Sequence, residues 1–371
     1  MIYVPVAKND GGPPGCSQDR YKRGCVIDGH RYDIRWWKPD CFFYHPFSLI
    51  SAYYGLNYPN FRERFGIPKE VFLLGDSGGF QNVTKKADLF PLKVLRWQER
   101  NVDLGFILDV PPYDFTGTAQ FGGSAAERFD ESLKQTRENA EIMADNRETK
   151  MPLYGVIQGE TFKQMTTWYE ALKDLNFDGY SLSPKPSFDP FAVAMHMYVA
   201  HINGIENLHV LQVTGINGLA MIAYAAGHMK FNHIYYDSAT YAMKAVKRKY
   251  TLNLLKEVRI SKLKSKTLPC MCPVCSRVNI DYFQNSEWPV LLISLHNIWQ
   301  GIHLNNLLNS LKDDLPFLKN FIGRHCNDKT IAATAFFDIL MDQGPESAMR
   351  KFGQSIAKGE SAVKVKGVFD L

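Results

Sequence analysis

The segment VFLLGDSGGF (71–80) decides the fold prediction for this chain, because an apolar run leads directly into a polar residue, Asp76. Five further segments repeat the pattern: LGFILDVPP (104–112) ends at Asp109, PLYGVIQGE (152–160) at Gln158, DGYSLSP (178–184) at Ser181 and Ser183, HVLQVTGI (209–216) at Thr214, and HIYYDSATYA (233–242) at Asp237. Buried parallel strands are nearly continuous apolar runs, and (β/α) barrels place their chemistry at the carboxyl ends of such strands. The pattern therefore predicts an active site at the mouth of a barrel.

The segments between these strands show helical patterning, most clearly at residues 124–147, where Ser124 is the expected N-cap. Strands and helices that alternate at this spacing favour an α/β fold with a parallel sheet. CFFYHPFSLISAYYG (41–55) adds a strand that runs into a helix, so seven strands can be counted and an eighth is not evident. A doubly wound sheet is the alternative, but it gathers its site at one switch point. Polar ends on six strands favour a closed (β/α)8 TIM barrel.

The 371 residues divide into three predicted regions. Residues 1–40, rich in Gly, Pro, Cys and Tyr, form an N-terminal cap. Residues 41–245 form the TIM-barrel catalytic core. Residues 246–371 contain a basic stretch, a metal-binding subdomain and C-terminal helices. A single α/β barrel needs roughly 250 residues, so the length does not require two large domains.

The N-terminus shows no basic-then-apolar signal pattern. No uncharged apolar run approaches the ~20 residues that cross a bilayer. We therefore expect a cytoplasmic protein, in a bacterial cell or a phage-infected host, with no membrane partner.

The positive charge of the chain is concentrated in one stretch. The formal net charge is only +5, but nine Lys or Arg and a single acidic residue, Glu257, lie between Lys244 and Lys266. This run predicts either a surface for phosphates or a solvated helix face followed by a loop. Its candidate nucleic-acid-binding residues are Lys244, Lys247, Arg248, Lys249, Lys262, Lys264 and Lys266.

Three of the seven cysteines lie within six positions, as Cys270-x-Cys272-x2-Cys275. An odd count with this clustering is a poor disulfide framework and a better metal cluster. Zinc takes four ligands in a tetrahedron, and a site closed by four protein ligands is structural. The fourth ligand is expected from the following helix, where His296 is favoured and His303, seven residues further on the same face, competes. The sequence thus predicts a structural Zn²⁺ site.

The ordered set of motifs resembles the tRNA-guanine transglycosylase superfamily. DSGGFQ (76–81), the strand-end Asp109, Gln158 in IQGE, Asp237 in YDSATYA, and the Cys/His cluster carry this resemblance, which covers about residues 70–300. YDSATYA and LPCMCPVCS are similar to the archaeal branch in particular. The resemblance implies a pentosyltransferase that exchanges guanine in a polynucleotide for a 7-deazaguanine.

The resemblance also implies roles for individual residues. Asp237 would attack C1′ and form a covalent glycosyl-enzyme, and Asp76 would be the general acid/base, as in the two-step chemistry of retaining glycosidases. Asp109 and Gln158 would bind the purine edge, and Phe80 would stack on its face. The other candidate substrate-binding residues are Ser77, Gly78, Gly79, Ser183, Gln212 and Gly215. The residues alone do not tell which aspartate attacks.

Each of these residues also has a purely structural explanation. A strand-end Asp often caps a helix, Asp109 before Val-Pro-Pro could shape a turn, and Gln158 could be a satisfied core amide. The ordered set favours function over these explanations.

One segment departs from the superfamily. A Gly-Gly pair usually follows the strand that corresponds to FDGYSLS, and its backbone N–H groups meet the purine carbonyl. Here the chain has Ser183-Pro184-Lys185-Pro186, and proline has no N–H. Lys185 or a serine hydroxyl is the expected substitute, and the incoming base stays open.

The sequence favours DNA over tRNA as the polynucleotide. Archaeal-type tRNA enzymes carry long C-terminal RNA-binding domains, whereas this chain ends at Leu371, and bacterial ones follow the nucleophile with a Pro-Thr-Arg type segment, whereas this chain has SATYAMKAVKRK (238–249). The chain resembles DNA-guanine transglycosylases of phage and genomic-island modification systems, which insert 7-deazaguanines such as preQ0-like bases. Such an enzyme must flip the base or act on single-stranded or distorted DNA. A homodimer and accessory DNA-modification proteins are further candidate partners.

Three other classes compete with a base-exchange enzyme. A non-catalytic, zinc-containing nucleic-acid-binding subunit is disfavoured because both Asp76 and Asp237 are present. A zinc-ribbon binding module leaves the acidic strand ends unexplained. A retaining glycosidase relies on two carboxylates and needs neither the Gly-Gly-Phe segment nor a Cys3His site.

Overall fold

The computed structural model describes residues 1–7, 25–114, 120–185, 189–213, 215–263, 268–286 and 288–358, without the side chains of residues 353–358. Its strands are β1 (Ile2–Pro5), β2 (Cys25–Ile27), β3 (His30–Tyr32), β4 (Phe47–Ser51), β5 (Phe72–Asp76), β6 (Leu104–Phe106), β7 (Leu153–Ile157), β8 (Gly179–Leu182), β9 (Asn207–Val210), β10 (His233–Ser238), β11 (Lys249–Leu252) and β12 (Lys256–Arg259).

The helices alternate with the strands of the first two thirds and then follow one another. They are α1 (Ala52–Gly55), α2 (Phe61–Arg64), α3 (Gly79–Lys85), α4 (Pro91–Asn101), α5 (Ala125–Asp145), α6 (Phe162–Glu170), α7 (Pro190–Ile202), α8 (Gly215–His228), α9 (Thr240–Val246), α10 (Ile280–Gln284), α11 (Pro289–Leu311), α12 (Leu315–His325), α13 (Asp328–Gln343) and α14 (Pro345–Lys358), with short 3-10 turns at Lys173–Leu175 and Ile260–Lys262. Within these described ranges, no helix is both long and apolar enough to cross a bilayer.

Eight parallel strands form a nearly closed barrel in the order β1-β10-β9-β8-β7-β6-β5-β4. The ends of this order meet, because Val6 bridges Leu49 in parallel and the backbone N–H of Ala7 donates to the carbonyl of Leu49 at 2.7 Å. This closure confirms the predicted TIM-like barrel and excludes the doubly wound alternative, whose sheet has two free edges.

The eighth strand is β1, which the sequence pattern does not reveal. β1 has only four residues, ends at Pro5 and carries no polar residue at its carboxyl end, so it lacks the signal that marks the other strands. It lies between β10 and β4 and pairs with β10 in the register Val4–Asp237. The boundaries of the N-terminal cap, the core and the C-terminal region remain predictions.

The helices cover the outside of the barrel in the positions that the patterns predict. Ser124 caps α5 in a reciprocal capping box with Glu127. Helix α7 is buried on nearly all sides because α6 and α8 flank it and α13 packs over it. This second layer explains its apolar sequence, since a helix that is hydrophobic all round must be covered all round.

The C-terminal region begins with the antiparallel pair β11–β12. The long helix α11 packs against β1, β11, α8 and α9, and therefore joins this region to the barrel. The mouth of the barrel and the cysteine cluster are thus held on one connected core.

Candidate active site and metal site

The carboxyl ends of the barrel strands bring the predicted polar residues to one mouth. Asp76 is the last residue of β5, and Asp237 is the last but one of β10. Gln158 and Ser183 follow β7 and β8 directly, and Asp109 lies three residues beyond β6. Because the strands are parallel, their carboxyl ends open on the same side. Residues far apart in the sequence therefore share one site.

Asp109 and Gln158 form a buried pair. Nε2 of Gln158 donates to Oδ2 of Asp109 at 2.6 Å, and the hydroxyl of Ser77 donates to Oδ1 at 3.3 Å. Burial raises the pKa of Asp109, and these two hydrogen bonds oppose that rise. Oε1 of Gln158 is also buried and has no hydrogen-bond partner among the described residues. A buried acceptor without a donor is rare, and here it offers a bond to a ligand.

The two glycines of the DSGG segment bring the backbone against Asp109. A Cβ on Gly79 would lie 2.4 Å from the carbonyl oxygen of Asp109 and 2.5 Å from its Oδ1, so no side chain fits there. Gly78 has φ +85°, a conformation that favours glycine. The segment then enters α3, where the ring of Phe80 remains 38% exposed. An exposed ring beside this backbone can stack on a flat ligand.

Asp237 is held through one of its two oxygens. Nε2 of His209 lies 2.9 Å from Oδ1, and the backbone N–H of Gln212 donates to the same Oδ1 at 3.0 Å. Across the described part of the chain, no hydrogen bond reaches Oδ2. Asp237 is 5% exposed, so its geometry is fixed while one carboxylate oxygen is left for a ligand.

Asp76 is the carboxyl most affected by its surroundings. Burial and the negative charges of Asp109 and Asp237 raise its pKa to about 7, although a hydrogen bond from Ser51 opposes this rise. A carboxyl with a pKa near neutrality exchanges its proton readily at physiological pH. This property suits a group that must donate a proton in one step and accept one in another.

Lys185 introduces a positive charge into this acidic mouth. Burial lowers its pKa, and the charges of Asp109, Asp237 and Glu160 oppose that change. Its ammonium lies 5.7 Å from the centre of the Tyr113 ring. The backbone N–H of Ser183 already donates to the carbonyl of Ile157 at 3.1 Å, so it is committed to the sheet. The backbone of Ser183 therefore cannot replace the missing Gly-Gly amides, which leaves Lys185 and a serine hydroxyl as the two candidates.

The structure adds His209, which the sequence reasoning missed, and gives Gln212 a backbone contact instead of a side-chain contact. Register decides the His209 contact, because β9 pairs His209 with Tyr235, two residues before Asp237 on β10. Gln212 lies two residues beyond β9 and has φ +58°. Alternate residues of a strand share a face, but the sequence does not specify this pairing. Gly215 begins α8 with φ +77° and is exposed. Thr214 and Pro186 lie outside the described residues.

The cysteine cluster is assembled as the sequence predicts. The ligand atoms of Cys270, Cys272, Cys275 and His296 all lie within 4.8 Å of one another. Nδ1 of His296 is 3.3 Å from the sulfurs of both Cys272 and Cys275. His303 is exposed and stacks on Trp299 at 4.6 Å, so it is not the fourth ligand. The cluster could hold a metal ion such as zinc.

Neighbouring groups fix the orientation of these ligands. Nε2 of His296 contacts the carbonyl of Thr251 at 2.7 Å, so it carries the hydrogen and leaves Nδ1 for a metal. The Tyr250 ring stacks on His296 at 3.8 Å, and its hydroxyl lies 3.0 Å from the sulfur of Cys275. Nε2 of Gln300 donates to the sulfur of Cys270 at 3.3 Å. This outer layer is what a closed structural metal site requires.

Within the described part of the basic run, some residues form ion pairs and others are exposed with no ion pair to another described residue. Lys244 and Lys249 both contact Glu257, at 2.8 Å and 3.1 Å. Lys247, Arg248 and Lys262 are exposed. Lys247 and Arg248 line a surface groove with Arg259, a residue that the sequence reasoning did not select, and with Phe283 and Gln284. Lys264 and Lys266 lie outside the described residues.

The chain is similar to archaeal proteins named tRNA-guanine(15) transglycosylase. It is 27% identical to the protein of Methanosarcina mazei over 249 residues, 65% of this chain and 48% of the relative. The corresponding values are 26% over 252 residues for Methanocaldococcus jannaschii (65% and 37%) and 27% over 248 residues for Thermococcus onnurineus (64% and 40%). No family model matches the chain. The chain thus spans about half or less of the length of these curated relatives.

These similarities agree with the resemblance to the tRNA-guanine transglycosylase superfamily that the motifs indicate. They do not support the preference for DNA that the sequence suggests, since the names of these relatives specify tRNA. The alternative, tRNA, agrees with them better.

Proposed function

We propose that this protein exchanges guanine in a polynucleotide for another base of the 7-deazaguanine type through a covalent intermediate on Asp237. The observation that carries the proposal is the arrangement of two carboxylates at the barrel mouth. Among the described residues, Asp237 is held through Oδ1, and Asp76, with a pKa of about 7, lies close enough to sense its charge. One group is suited to attack, the other to proton transfer.

In the first step, Oδ2 of Asp237 forms a bond to C1′ of the target nucleotide while the bond from C1′ to the guanine nitrogen breaks. The electron pair of the broken bond leaves with the base, and protonated Asp76 supplies the proton that neutralises it. The products are free guanine, a glycosyl ester on Asp237 and the carboxylate form of Asp76.

In the second step, the Asp76 carboxylate removes a proton from the incoming base. The nitrogen of that base attacks C1′, and the ester bond to Asp237 breaks, which restores both carboxyl groups to their starting states. The exchange therefore needs no external acid, base or cofactor in the chemical steps. Two displacements at C1′ retain its configuration.

The purine would be recognised by the buried polar pair and the exposed ring. Asp109 accepts hydrogen bonds from Gln158 and Ser77, but each carboxylate oxygen can accept a second one from a base N–H. Oε1 of Gln158, which has no partner among the described residues, would accept from a further base donor, and Phe80 would stack on the ring face. Lys185 would meet the carbonyl edge, where an ammonium opposes the charge that develops on the departing base.

For the polynucleotide, tRNA is the first candidate because the matched relatives are named for it. DNA is the second, on the sequence resemblance to the DNA-guanine transglycosylases. In either case the exposed cations Lys247, Arg248, Arg259 and Lys262 would hold phosphates. A homodimer and accessory proteins remain predictions.

We also propose that the Cys3His cluster binds structural Zn²⁺. Four protein ligands leave no open coordination position, and the four residues come from the C-terminal part of the chain. When bound, the ion would stabilise the packing of β11 and α11 around His296.

The test is a base-exchange assay with three polynucleotides. The protein is incubated with labelled guanine and unmodified tRNA, duplex DNA or single-stranded DNA, with Asp237→Asn as the matched control. We expect label in tRNA with the wild type only. Label in DNA alone would exchange the order of the two candidates. No label in any polynucleotide, with folded and metal-loaded protein, would overturn the proposed function.

A further inference from the structure

His209 lies inside the barrel, one layer below the mouth. It belongs to β9, is 0% exposed, and is paired in register with Tyr235 of β10. The Phe106 ring packs against the imidazole, with 4.8 Å between ring centres. The ring is therefore locked by its neighbours, and it is too deep to touch a ligand at the mouth.

The polar contacts of His209 point to a single partner. Nε2 lies 2.9 Å from Oδ1 of Asp237, and because a carboxylate oxygen accepts, Nε2 carries the hydrogen. Nδ1 is buried and has no hydrogen-bond partner within the described residues. Burial removes both ring nitrogens from water, and only Nε2 gains a hydrogen bond in return from a described residue, which makes the burial unfavourable. The Asp237 contact is what offsets this loss.

Gln212 contributes a second donor to the same oxygen, at some conformational cost. It has φ +58°, an uncommon conformation for a residue with a side chain, worth on the order of 1 kcal/mol or more of strain. In this conformation its backbone N–H reaches Oδ1 of Asp237 at 3.0 Å. One donor on β9 and one donor two residues beyond its end thus converge on the same carboxylate oxygen.

We propose that His209 is a positioning residue for the reaction: with the Gln212 amide it fixes the rotation of the Asp237 carboxylate so that Oδ2 faces C1′. This inference rests on the proposed function. A carboxylate that is free to rotate about its last bond presents either oxygen at a range of angles, whereas two hydrogen bonds to Oδ1 select one. A misplacement of about 1 Å can cost on the order of 100-fold in rate.

Two amide variants separate the hydrogen bond from polarity and volume. In His209→Gln the side-chain amide reaches about as far as Nε2, so it can still donate to Oδ1. In His209→Asn it ends near the position of Nδ1 and cannot. His209→Leu fills the space without a donor. His196→Leu is the matched control, because His196 is also buried, 1% exposed, but bonds only the carbonyl of Ala192, at 2.9 Å, among the described residues.

The measurements are the single-turnover rate of covalent adduct formation, kcat, the KM for the free base, and thermal unfolding. We expect His209→Asn and His209→Leu to form the adduct about 100-fold more slowly, with a KM within about 3-fold of the wild-type value. His209→Gln should remain within about 10-fold of the wild-type rate, and His196→Leu should keep it.

Equal rates for the Gln and Asn variants, or a wild-type rate for either His209→Asn or His209→Leu, would overturn the positioning role, even if the His209→Leu protein were less stable than the wild type. Failure of the proposed function is distinct, since the wild type would then form no adduct at all.

Discussion

The barrel mouth and the Cys3His cluster hold their polar groups in opposite ways. At the mouth, three carboxyl groups share a buried space, so the pKa of Asp76 rises to about 7, and Oε1 of Gln158 lacks a partner among the described residues. In the cluster, all four ligand atoms converge within 4.8 Å, and Tyr250, Thr251 and Gln300 contact them from outside. Among the described residues, the mouth thus leaves a buried acceptor without a donor, whereas the four ligand atoms of the cluster face one another.

The two regions should therefore respond differently to mutation. Carboxylates at the mouth oppose each other, so their removal should cost activity and not stability. The proposed zinc would link the cluster ligands to one another, so their removal should lower stability before it affects the chemistry.

Asp237→Asn should abolish base exchange at the barrel mouth and leave the Cys3His cluster intact. Loss of a covalent nucleophile costs roughly 10⁴- to 10⁶-fold in kcat, and we expect at least about 10⁴-fold in base exchange with an unchanged metal content. The exchange assay and metal analysis measure both. The exposed Asp130→Asn on α5 serves as the control, and more than a tenth of wild-type activity in the Asp237 variant would refute the nucleophile assignment.

Cys272→Ser should break the cluster and leave the chemistry of the folded fraction intact. Structural zinc supplies about 10–16 kcal/mol to zinc-finger peptides, and we expect a loss on the order of 5 kcal/mol of unfolding free energy here, because the barrel packs without it. Urea unfolding and metal analysis test this. Cys326→Ser, a partly buried cysteine outside the cluster, should change neither. A Cys272 variant that retains one bound metal would contradict the site.

Asp76→Asn should stabilise the protein at high pH while abolishing exchange. Because its pKa rises from 3.8 to about 7 on folding, the folded state binds this proton more tightly than the unfolded state. The charge therefore penalises folding increasingly from about pH 4 to pH 7 and fully above pH 7. Removal of the charge should add about 2–4 kcal/mol at pH 8, and almost nothing at pH 4.

Urea unfolding of Asp76→Asn at the two pH values measures the difference, with Asp130→Asn as the surface control. An equal gain in unfolding free energy at pH 4 and pH 8 would show that the neighbouring charges and burial do not raise the pKa of Asp76. The expected difference between the mouth and the cluster would then be refuted.

The smallest expected effect concerns the basic surface beside the cluster. Lys247→Gln with Arg259→Gln should weaken polynucleotide binding by about 10-fold and reduce the slope of log affinity against log salt by about 2, one unit for each lost phosphate contact. Lys244→Gln with Lys249→Gln, which removes lysines already paired with Glu257, should change the slope by less than about 1. Equal slopes in the two double variants would show that the groove residues Lys247 and Arg259 do not contact phosphates of the polynucleotide.

The parts of this molecule that short-range sequence patterns specify could be predicted. Cys270, Cys272 and Cys275 lie within six positions, so their convergence follows from local spacing. His296 was already favoured as the fourth ligand, and the exposure of His303 on α11 excludes the competitor. The six polar strand ends predicted the barrel, because parallel strands must open on one side. β1 was missed because it is short and has no polar end.

The remaining features depend on strand register, on ion pairing and on similarity to other proteins, none of which can be read from this sequence alone. His209 contacts Asp237 only through the alignment of β9 with β10. Glu257 pairs with two of the lysines, which a count of charges along the basic run cannot show. The expectation of DNA rested on segments around and beyond the catalytic motifs, and the curated relatives favour tRNA instead.

The covalent intermediate that we propose on Asp237 can be trapped and located. The protein is mixed with substrate polynucleotide in the absence of any free base, denatured, digested and analysed by mass spectrometry for a peptide that carries a nucleotide. We predict a glycosyl ester on Asp237 that Asp237→Asn fails to form and that added guanine removes. An adduct on Asp76, or an equal adduct yield in the Asp237 variant, would contradict the account.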